Sequence, residues 1–512
     1  MKRLIAYLFL LVNISFSQSS IEWVSRCSDA ASNFFANDAA IDNNGFIYIT
    51  FTDFVYSNKL VKLNSAGNIL WIKTYPFVST NVIKLDNNGS IYLGGTKENL
   101  YEDFWVIKYD PEGNIVWENS YGPNEYHTGM CRDLIVDNSG NVYATGLITN
   151  SGNQDYCTIK YNADGTRAWV NSFHYGINYT DAAKSITLDN NNNVLVTGEV
   201  FDSSSALLYC TIKYNNTGEL AWYKTTAANL YEPNKIMFRY PDIFVTGRAI
   251  YGIGTVSYAS NGNLRWMQVV PGRNNDMLID NTGNLVITGQ LYDTVLQRTS
   301  LLILKYNNSG SLLWTEDFIS GGYSSGKSVI YDENDNLYVL GSGNFGYDNH
   351  LLTLKYSNSG DLLWQEQYSV ESDSFYTPLK ILYSNNSVYS ISNVFRQDSL
   401  RYETIVIKYT QTIGIEPVSA EIPQQFSLSQ NYPNPFNPST KIRFAISGSS
   451  AAQTFLSVYD MLGREISTLV NQELKPGTYE VDWNASSFPS GVYFYRLNAG
   501  SFTETKKMLL VK

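Results

Sequence analysis

The sequence has little charge, little histidine and no long hydrophobic run beyond its first residues. Only 16% of the 512 residues are charged, and there are three histidines and four cysteines. An average soluble protein has about 25% charged residues. No later segment is apolar enough to span a membrane, which takes about 20 residues. The net charge of −11 also excludes the basic surface that nucleic-acid binding requires, so we expect no nucleic-acid partner.

Aromatic residues and glycine are abundant instead. The chain has 39 Tyr, 10 Trp and 36 Gly, and 44% of its residues are hydrophobic. Tyr and Trp favour half-buried strands, whereas Gly and Asn favour tight turns. This composition predicts an all-β protein whose polar residues are concentrated in its turns.

The N-terminus has the three parts of a secretory signal. Met1, Lys2 and Arg3 form a basic start, residues 4–14 are apolar, and small residues at 15–17 precede Gln18. This pattern predicts a signal peptide over residues 1–17 that is removed on export. The apolar run is too short for a transmembrane anchor, and no Cys follows it to accept a lipid.

The four cysteines and three histidines do not form a metal-binding pattern. Cys27, Cys131, Cys157 and Cys210 contain no C-x-x-C pair, and the histidines are scattered, so we expect no zinc site. Cys157 and Cys210 both lie in the hexapeptide Tyr-Cys-Thr-Ile-Lys-Tyr. We interpret them as strand-packing residues, and one disulfide is the alternative.

A repeat of about 49 residues runs through most of the chain. A Lys-Tyr or Lys-Leu pair is followed, nine positions after the Lys, by Trp, and Gly stands four residues before that Trp. One copy, around Tyr258, keeps the Trp and Gly but not the Lys. With Trp23, which opens the chain, the Trp residues of the series are Trp23, Trp71, Trp117, Trp169, Trp222, Trp266, Trp314 and Trp364.

A second landmark precedes each of these motifs. A turn such as Asp-Asn-Asn-Gly at residues 42–45 is followed by an alternating apolar strand that often ends in Thr-Gly. Asn-Gly, Asp-Gly and Ser-Gly are hairpin dipeptides, because such turns need a positive φ at their centre. Each repeat is therefore predicted to form four short antiparallel strands, which is one blade of a β-propeller.

The two ends of the repeat complement each other. Lys408 begins a motif that has no following Trp, and Trp23 ends one that has no preceding Lys-Tyr. We expect these two segments to share one blade and so to remove two open sheet edges. This predicts eight blades over residues 18–410, with seven as the alternative because the repeat around Pro241 is degenerate.

The Gly-x-x-x-Trp hairpins resemble the tryptophan-docking repeats of quinoprotein-type eight-bladed propellers, in which each Trp packs against the next blade. The Asp-Asn-Gly and Thr-Gly pattern also resembles short propeller repeats of exported bacterial proteins. The resemblance implies the fold and the blade-packing role of the eight Trp residues. It does not imply a quinone cofactor, because the chain lacks the adjacent cysteines of those dehydrogenases.

Proline marks a boundary near residue 410. Half of the 14 prolines follow it, residues 411–423 have no apolar periodicity, and the repeat does not continue. Residues 411–423 are therefore predicted to be a linker. Short, evenly spaced strands over residues 424–512 predict a small immunoglobulin-like β-sandwich.

This last region resembles the type A C-terminal sorting domain of the type IX secretion system. The resemblance rests on four motifs: Asn-Tyr-Pro-Asn-Pro-Phe-Asn-Pro, Val-Tyr-Asp-x-x-Gly-Arg-Glu, Pro-Ser-Gly-Val-Tyr-Phe-Tyr-Arg-Leu and the lysine-flanked end. It implies a Bacteroidota-type cell, contact with the type IX machinery, secretion or surface delivery, and removal of the domain after export. The motif residues are Pro433, Asn434, Pro435, Phe436, Asn437, Pro438, Gly463, Arg464, Gly491, Lys506, Lys507 and Lys512.

The search for catalytic chemistry finds no nucleophile motif, and we assign no catalytic, cofactor-binding or metal-binding residue. The acidic turn at residues 332–336 could bind calcium, although a repeated hairpin turn also explains it. We interpret His127 and His350 as exposed loop residues, and Glu102-Asp103 and residues 371–373 as acidic loops.

The remaining candidates are the variable loops between the second and third strands of the blades. Asn150, Asn153, Tyr156 and the adjacent Tyr209 could contact a glycan or a protein. The leading hypothesis is a non-catalytic binding propeller. An extracellular polysaccharide hydrolase or lyase and a structural or adhesive surface protein are the alternatives.

Overall fold

The computed structural model describes residues 20–27, 34–53, 57–122, 127–150, 152–176, 180–226, 229–345, 348–369, 374–397, 400–410, 416–419, 423–448, 450–485 and 488–511. The predicted signal peptide, residues 1–17, lies outside these described residues. The chain divides into a large compact unit, Ile21–Tyr409, and a second unit that contains Thr410–Lys512.

Strands make up the large unit, and the described residues contain no helix long and apolar enough to cross a membrane. The strands are β1 (Ser20–Cys27), β2 (Phe34–Ile41), β3 (Ile47–Asp53), β4 (Ser57–Leu63), β5 (Ile69–Pro76), β6 (Val78–Leu85), β7 (Ile91–Glu98), β8 (Glu102–Tyr109), β9 (Ile115–Tyr121), β10 (Gly129–Val136), β11 (Val142–Asn150), β12 (Asn153–Tyr161), β13 (Arg167–Phe173), β14 (Ala182–Leu188), β15 (Val194–Phe201), β16 (Leu207–Tyr214), β17 (Leu220–Thr225), β18 (Leu230–Arg239), β19 (Asp242–Ala249), β20 (Gly252–Ala259), β21 (Leu264–Val270), β22 (Arg273–Ile279), β23 (Leu285–Asp293), β24 (Arg298–Tyr306), β25 (Leu312–Phe318), β26 (Tyr323–Tyr331), β27 (Leu337–Phe345), β28 (Asp348–Tyr356), β29 (Leu362–Tyr368), β30 (Ser374–Ser384), β31 (Ser387–Arg396) and β32 (Arg401–Thr410).

Strands that follow one another in the chain pair into four-stranded sheets. The sheets are β2 to β5, β6 to β9, β10 to β13, β14 to β17 and β18 to β21, and the sets β22 to β25 and β26 to β29 are joined by one parallel bridge between Thr299 and Tyr323. In the last sheet β1 lies beside β32, which is followed by β31 and β30. The all-β composition and the four-stranded sheets are those of a propeller-like fold.

The first strand of each sheet contacts the first strand of the next. The contacts run from β2 through β6, β10, β14, β18, β22 and β26 to β30, and β30 contacts β2. These strands therefore form a closed ring around a common interior. Because β1 is supplied by the beginning of the unit and β32 by its end, pairing of these two strands holds the ring closed.

Many of the hairpins inside the sheets form where the sequence places Asp or Asn three residues before Gly. Gly113 has a φ of 80° and donates its N–H to the carbonyl of Asp110 at 3.0 Å. Residues with a side chain seldom adopt this φ, so glycine favours the turn. Between the hairpins, the second and third strands are almost wholly buried, as in β7 and β8, whereas the fourth strands are largely exposed.

The cysteines pack as single side chains. Cys27, Cys131, Cys157 and Cys210 are all buried and free, so the alternative of one disulfide is wrong. Cys157 and Cys210 occupy equivalent places on β12 and β16, each paired with the last Gly of the neighbouring strand. Burial raises the pKa of the Cys27 thiol to about 12, which keeps it protonated at neutral pH.

The second unit contains two more four-stranded sheets. Its strands are β33 (Glu416–Ser419), β34 (Ser427–Leu428), β35 (Ser439–Ile446), β36 (Ala452–Tyr459), β37 (Glu465–Leu474), β38 (Gly477–Asn484), β39 (Gly491–Ala499) and β40 (Phe502–Leu510). One sheet has the order β33, β38, β35, β34 and the other β37, β36, β39, β40. A single hydrophobic core, which includes Phe444, Val458, Trp483 and Tyr495, joins the two sheets.

The segment predicted as a linker contains part of this unit. Within residues 411–423, Glu416–Ser419 forms β33 and pairs with β38. An edge strand of four residues is too short to show a hydrophobic alternation in the sequence, so composition alone does not distinguish it from a linker.

Candidate functional site

Every first strand carries a β-bulge at the same position. A bulge leaves one residue unpaired and redirects its side chain. The bulged residues are Asn37, Asn81, Arg132, Lys184, Asn234, Asn275, Lys327 and Leu379. Among them, Asn37, Asn81 and Asn275 each donate to a main-chain carbonyl of the next first strand, so these amides bind neighbouring sheets together.

Just after the bulges, carboxylates and lysines alternate around the interior. The ion pairs are Lys380 with Asp38 at 2.6 Å, Lys84 with Asp133 at 3.8 Å and Lys235 with Asp276 at 2.5 Å. We call these six residues the ion-pair belt. Burial lowers the pKa of Lys84, but Asp133, Asp38 and Asp276 together raise it above its ordinary value, which shows that all three carboxylates face one interior.

The belt carboxylates also bond to the next sheet. Asp38, Asp133 and Asp276 each accept a main-chain N–H from the following first strand at 3.1 Å. Ionised acceptors make stronger hydrogen bonds than neutral ones. The belt therefore holds the first strands at a fixed separation and occupies the interior with side chains.

A cavity of about 570 Å³ opens at the end of the ring where the first strands begin. We call it the channel-mouth pocket. Its walls come from the starts of five first strands, at or before their bulges, and from the ends of three second strands. The lining residues are Lys184, Glu232, Pro233, Asn234, Arg248, Arg273, Asn274, Asn275, Gln290, Tyr323, Ser325, Lys327, Ser342, Tyr376, Thr377 and Pro378.

Amides, hydroxyls and cations dominate this lining. Among the described lining residues the only carboxylate is Glu232, which bonds to Arg248 at 2.7 Å and raises the pKa of that guanidinium. The hydroxyl of Tyr323 donates to Gln290 at 3.2 Å, which orients the half-exposed ring of Tyr323. The pocket can therefore bind a polar molecule through many hydrogen bonds, and its described lining residues include no pair of carboxylates for acid and base catalysis.

The repeated Asp turns have a structural role. Asp332 Oδ1 accepts hydrogen bonds from the N–H groups of Asn334 and Asn336. Asp332 Oδ2 accepts a hydrogen bond from the hydroxyl of Tyr338 and lies 3.6 Å from Lys355 Nζ. These protein groups contact the two carboxylate oxygens that a calcium ion would need as ligands. The repeated Lys-Tyr motif thus supplies the cation for the turn of the preceding hairpin, as also in Lys213 with Asp189 at 2.8 Å.

The most buried of these pairs is Lys305 with Asp280, at 3.0 Å, with side chains 2% and 0% exposed. Burial by itself would raise the pKa of Asp280, but hydrogen bonds from Thr282, Lys305 and Asn284 lower it to about 2. In the folded protein the Asp280 carboxyl group is therefore ionised at a pH at which the same group is already protonated in the unfolded chain.

We expect this pair to make stability depend on acid pH. Because the folded pKa lies below the unfolded one, the stabilisation is complete above about pH 4 and is lost as the pH falls to about 2, a change of about 2 kcal/mol. The Asp280→Asn variant has no carboxyl group at this position, so its stability lacks this pH-dependent contribution. Urea unfolding between pH 2 and 7 should therefore show the gap between wild type and D280N closing as the pH falls. Parallel curves would contradict the assignment.

Seven of the eight Trp residues of the repeat lie against the glycine of a neighbouring hairpin. A Cβ added to the Gly of the next hairpin would come within 2.6 to 3.1 Å of the Trp ring. The pairs are Trp23–Gly67, Trp71–Gly113, Trp117–Gly165, Trp169–Gly218, Trp222–Gly262, Trp266–Gly310 and Trp314–Gly360. The indole N–H of Trp117 also donates to the carbonyl of Ala163 at 3.1 Å. Trp364 contacts no glycine of this kind among the described residues and packs between Tyr338 and Tyr409.

Several loop assignments made from the sequence are wrong. His127 is 7% exposed and lies 2.6 Å from Asp103, so it is not an exposed loop residue. Glu102 and Asp103 belong to the start of β8 rather than to a loop. The His127 imidazole is a buried partner for the Asp103 carboxylate. The spacing of residues in the sequence does not reveal this pairing. His350 lies in β28, and residues 371–373 are outside the described part of the chain.

The aromatic candidates for ligand contact are also wrong. Tyr156 and Tyr209 are 0% and 1% exposed, and their hydroxyls donate to the main-chain carbonyls of Cys210 and Arg248. They pack inside the fold because they occupy the third strands, which are buried on both faces. Asn153 is half-buried at the start of β12, and nothing is described for the side chain of Asn150.

One cluster of potential metal ligands occurs within the described residues. Asp155, His174 and Asp181 offer donor atoms within 4.8 Å of one another. His174 Nδ1 lies 2.9 Å from Asp155 and 3.6 Å from Asp181, and Asp181 also accepts the N–H of Tyr175. Burial raises the pKa of Asp181 to about 6. Sequence analysis missed this cluster because its members come from three separate segments.

The opening motif of the second unit lies against its last strand. Phe436 is buried against Trp483, and its N–H donates to the carbonyl of Leu509 at 3.0 Å. Asn434 accepts the N–H of Leu509 at 2.9 Å. Pro433, Pro435, Asn437 and Pro438 belong to the same segment, Gly463 and Arg464 form a turn with Asp460, Gly491 starts β39, and Lys506 and Lys507 lie in β40. Lys512 lies outside the described residues.

Residues 430–512 match the family of secretion system C-terminal sorting domains. This family indicates export through the type IX secretion machinery, to the cell surface or into the medium of a Bacteroidota-type bacterium. No curated protein matches the chain.

Three solved structures illustrate what the chain resembles. A protein of unknown function from Bacteroides caccae has 13% identity over 55% of this chain and 93% of its own, with a TM-score of 0.34. The polysaccharide lyase Uly1 has 10% identity over 76% and 99%, with a TM-score of 0.43. A eukaryotic initiation factor has 10% identity over 89% and 92%, with a TM-score of 0.42. At these identities the likeness concerns the fold alone and gives no information about a ligand.

Proposed function

We propose that this protein is an exported glycan-binding β-propeller without catalytic activity. The propeller comprises residues 18–410 and has eight blades, the last of which combines β1 with β30, β31 and β32. Residues 1–17 are its signal peptide. Residues 424–512 form an immunoglobulin-like sandwich that serves as the sorting domain and is removed after translocation.

The blade number is supported by the ring of first strands. Eight strands, β2 through β30 in steps of four, contact one another in order and return to the start. Each begins a set of strands that pair with one another, and β1 completes the last set. The seven-bladed alternative would leave out the set around Pro241, but β18 to β21 form a full sheet there.

The observation that carries the proposed function is the channel-mouth pocket. The ion-pair belt occupies the interior just beyond the bulges, while the pocket is lined by residues at or before them. A ligand that enters the mouth therefore meets a floor of side chains. The lining is rich in amides and hydroxyls, which match the hydroxyl groups of a sugar, and Tyr323 presents an aromatic ring on which a sugar can stack.

Binding is favoured over hydrolysis because the described residues of this lining include one carboxylate and not two. Glycosidases place two carboxyl groups about 5 to 10 Å apart across the scissile bond. Among the described residues Glu232 is the carboxylate that lines the pocket, and it is already bonded to Arg248.

The test is a screen of the full-length protein against immobilised glycans, with analysis of the soluble products. We expect binding without release of new reducing ends. Tyr323→Ala should weaken binding about tenfold, which corresponds to about 1.4 kcal/mol. Tyr240→Ala removes an exposed ring that does not line the pocket and should leave binding unchanged. Equal binding by Y323A, or cleavage of a glycan, would contradict the proposal.

A further inference from the structure

Two cations of the channel-mouth pocket have no carboxylate partner among the described residues. Lys184 pairs with Glu199 at 3.1 Å and Arg248 with Glu232 at 2.7 Å. Arg273 and Lys327 also line the pocket and are exposed to solvent, yet neither makes an ion pair within the described part of the chain. The pocket therefore has an excess of positive charge, although the whole chain has a net charge of −11.

The positions of these cations are fixed by the backbone. Lys327 and Lys184 are bulged residues of their first strands, and Arg273 is the first residue of β22. Arg132 occupies the equivalent bulge on β10, and its Nη1 atom is shielded from solvent without a hydrogen-bond partner among the described residues. A bulge redirects its side chain without moving the rest of the strand. Three of the eight bulges thus place a cation in the ring.

Unused hydrogen-bonding atoms occur beside these charges. Arg248 Nε and Asn274 Oδ1 are both shielded from solvent and have no partner within the described residues. A buried polar atom without a partner costs about 1 to 3 kcal/mol, so such atoms identify places where a ligand or water completes the bonding. Here they lie in the walls of the same pocket.

The rest of the lining fits a carbohydrate better than a peptide or a nucleic acid. Asn234, Asn275, Gln290, Ser325 and Thr377 offer donors and acceptors for sugar hydroxyls. The buried core of a protein–protein interface is largely apolar, and this lining has little apolar surface for the side chains of a peptide. Nucleic acids would be repelled by the overall negative charge of the chain.

We propose that the ligand is an acidic oligosaccharide, whose carboxylate or sulfate groups bind Arg273 and Lys327. This inference rests on the proposed function, which it makes specific. Arg273 offers a planar fork of N–H donors to a carboxylate or sulfate, and Lys327 supplies a second point charge. Lys184 and Arg248 are neutralised by Glu199 and Glu232, so they orient the ligand through hydrogen bonds without adding net charge.

The test compares polymers that differ only in charge. Full-length protein is titrated with dextran sulfate against dextran, and with polygalacturonate against its methyl ester. We expect binding to the charged member of at least one pair and at least tenfold weaker binding to its neutral partner. Affinity should fall as the salt concentration is raised from about 0.05 to about 0.5 M, because both contacts are partly exposed. Comparing the two pairs distinguishes sulfate from carboxylate.

Substitutions test whether the charged polymer binds at Arg273 and Lys327. Arg273→Gln with Lys327→Gln should weaken binding to the charged polymer at least tenfold. Arg298→Gln, which removes a cation beside Asp293 on the hairpin between β23 and β24, changes the net charge outside the pocket and should have no effect. Both proteins should unfold near the wild-type temperature, because Arg273 and Lys327 make no ion pair with a described residue and Arg298 lies on a partly exposed hairpin.

The possible failures are distinguishable. Equal binding of neutral and charged polymers, or an unaffected R273Q/K327Q variant, would overturn the acidic-ligand inference and leave glycan binding in place. Binding to no glycan at all would overturn the proposed function as well. Polyglutamate that binds as tightly as the best polysaccharide would show that charge alone is recognised, which would overturn the carbohydrate part.

Discussion

A chain that lacks Lys506–Lys512 will accumulate in the periplasm instead of reaching the cell surface. The deletion removes the second half of β40, including Met508 and Leu510, whose side chains are 0% and 1% exposed in the core of the second unit. It also removes Leu509, to which Asn434 and Phe436 of the opening motif bond. A sorting domain that loses this strand cannot keep its fold.

The measurement is fractionation of a type IX-competent host, with immunodetection in periplasm, outer membrane and medium. Lys506→Gln with Lys507→Gln is the matched control, because the side chain of Lys507 is exposed and the pairing of β40 with β39 is retained. We expect this control to be exported. Surface delivery of the truncated chain would contradict the sorting role. Retention of the control in the periplasm would show that the lysine charges are read instead of the folded strand.

Trp117→Ala will destabilise the large unit by about 3 to 5 kcal/mol, the usual cost of removing a buried aromatic side chain. Trp117 is 8% exposed, packs against Gly165 of the next hairpin and donates to Ala163. Its loss leaves a cavity between two sheets and an unpaired carbonyl. Thermal and urea unfolding measure the effect, and Phe77→Ala, at a side chain 63% exposed, should change stability by less than about 0.5 kcal/mol.

A double-mutant cycle tests whether the Trp and Gly act as a pair. Gly165→Ala places a Cβ 2.6 Å from the Trp117 ring, at a φ of 88° that alanine also disfavours. This variant should therefore be destabilised by itself. In the Trp117→Ala background the ring is gone and only the φ strain remains, so the double variant should lose less stability than the sum of the two. Additive losses would show that the residues do not contact one another.

The repeat is readable from the sequence because each of its parts depends on neighbouring residues. The Gly at a hairpin is required by a local φ, and the Asp before it is held by its own turn. The Trp that follows lies on the strand that the hairpin starts. Trp and Gly of successive repeats then meet because a constant repeat length brings equivalent positions together. The sorting motif is likewise a continuous pattern, and its family match confirms it.

The errors concern residues whose burial depends on other sheets. Tyr156 and Tyr209 look like ligand-binding aromatics beside a loop, but they are buried on the third strands of their sheets. His127 looks exposed, but it is buried, and its Nε2 atom lies 2.6 Å from Asp103, 24 positions earlier in the chain. A single sequence records the hydrophobicity of a residue but not which neighbouring sheet covers it.

What the sequence by itself determined is therefore the strand and hairpin pattern, the repeat and the export domain, all of which depend on interactions between residues close in the chain. Only the tertiary structure decided where a ligand could bind. Lys184, Arg273 and Lys327 come from three different first strands that lie far apart in the chain. They share a pocket because the closed ring brings the starts of those strands to one interior, where a bulge redirects Lys184 and Lys327. A bulge depends on pairing between strands, so it leaves no motif in the sequence.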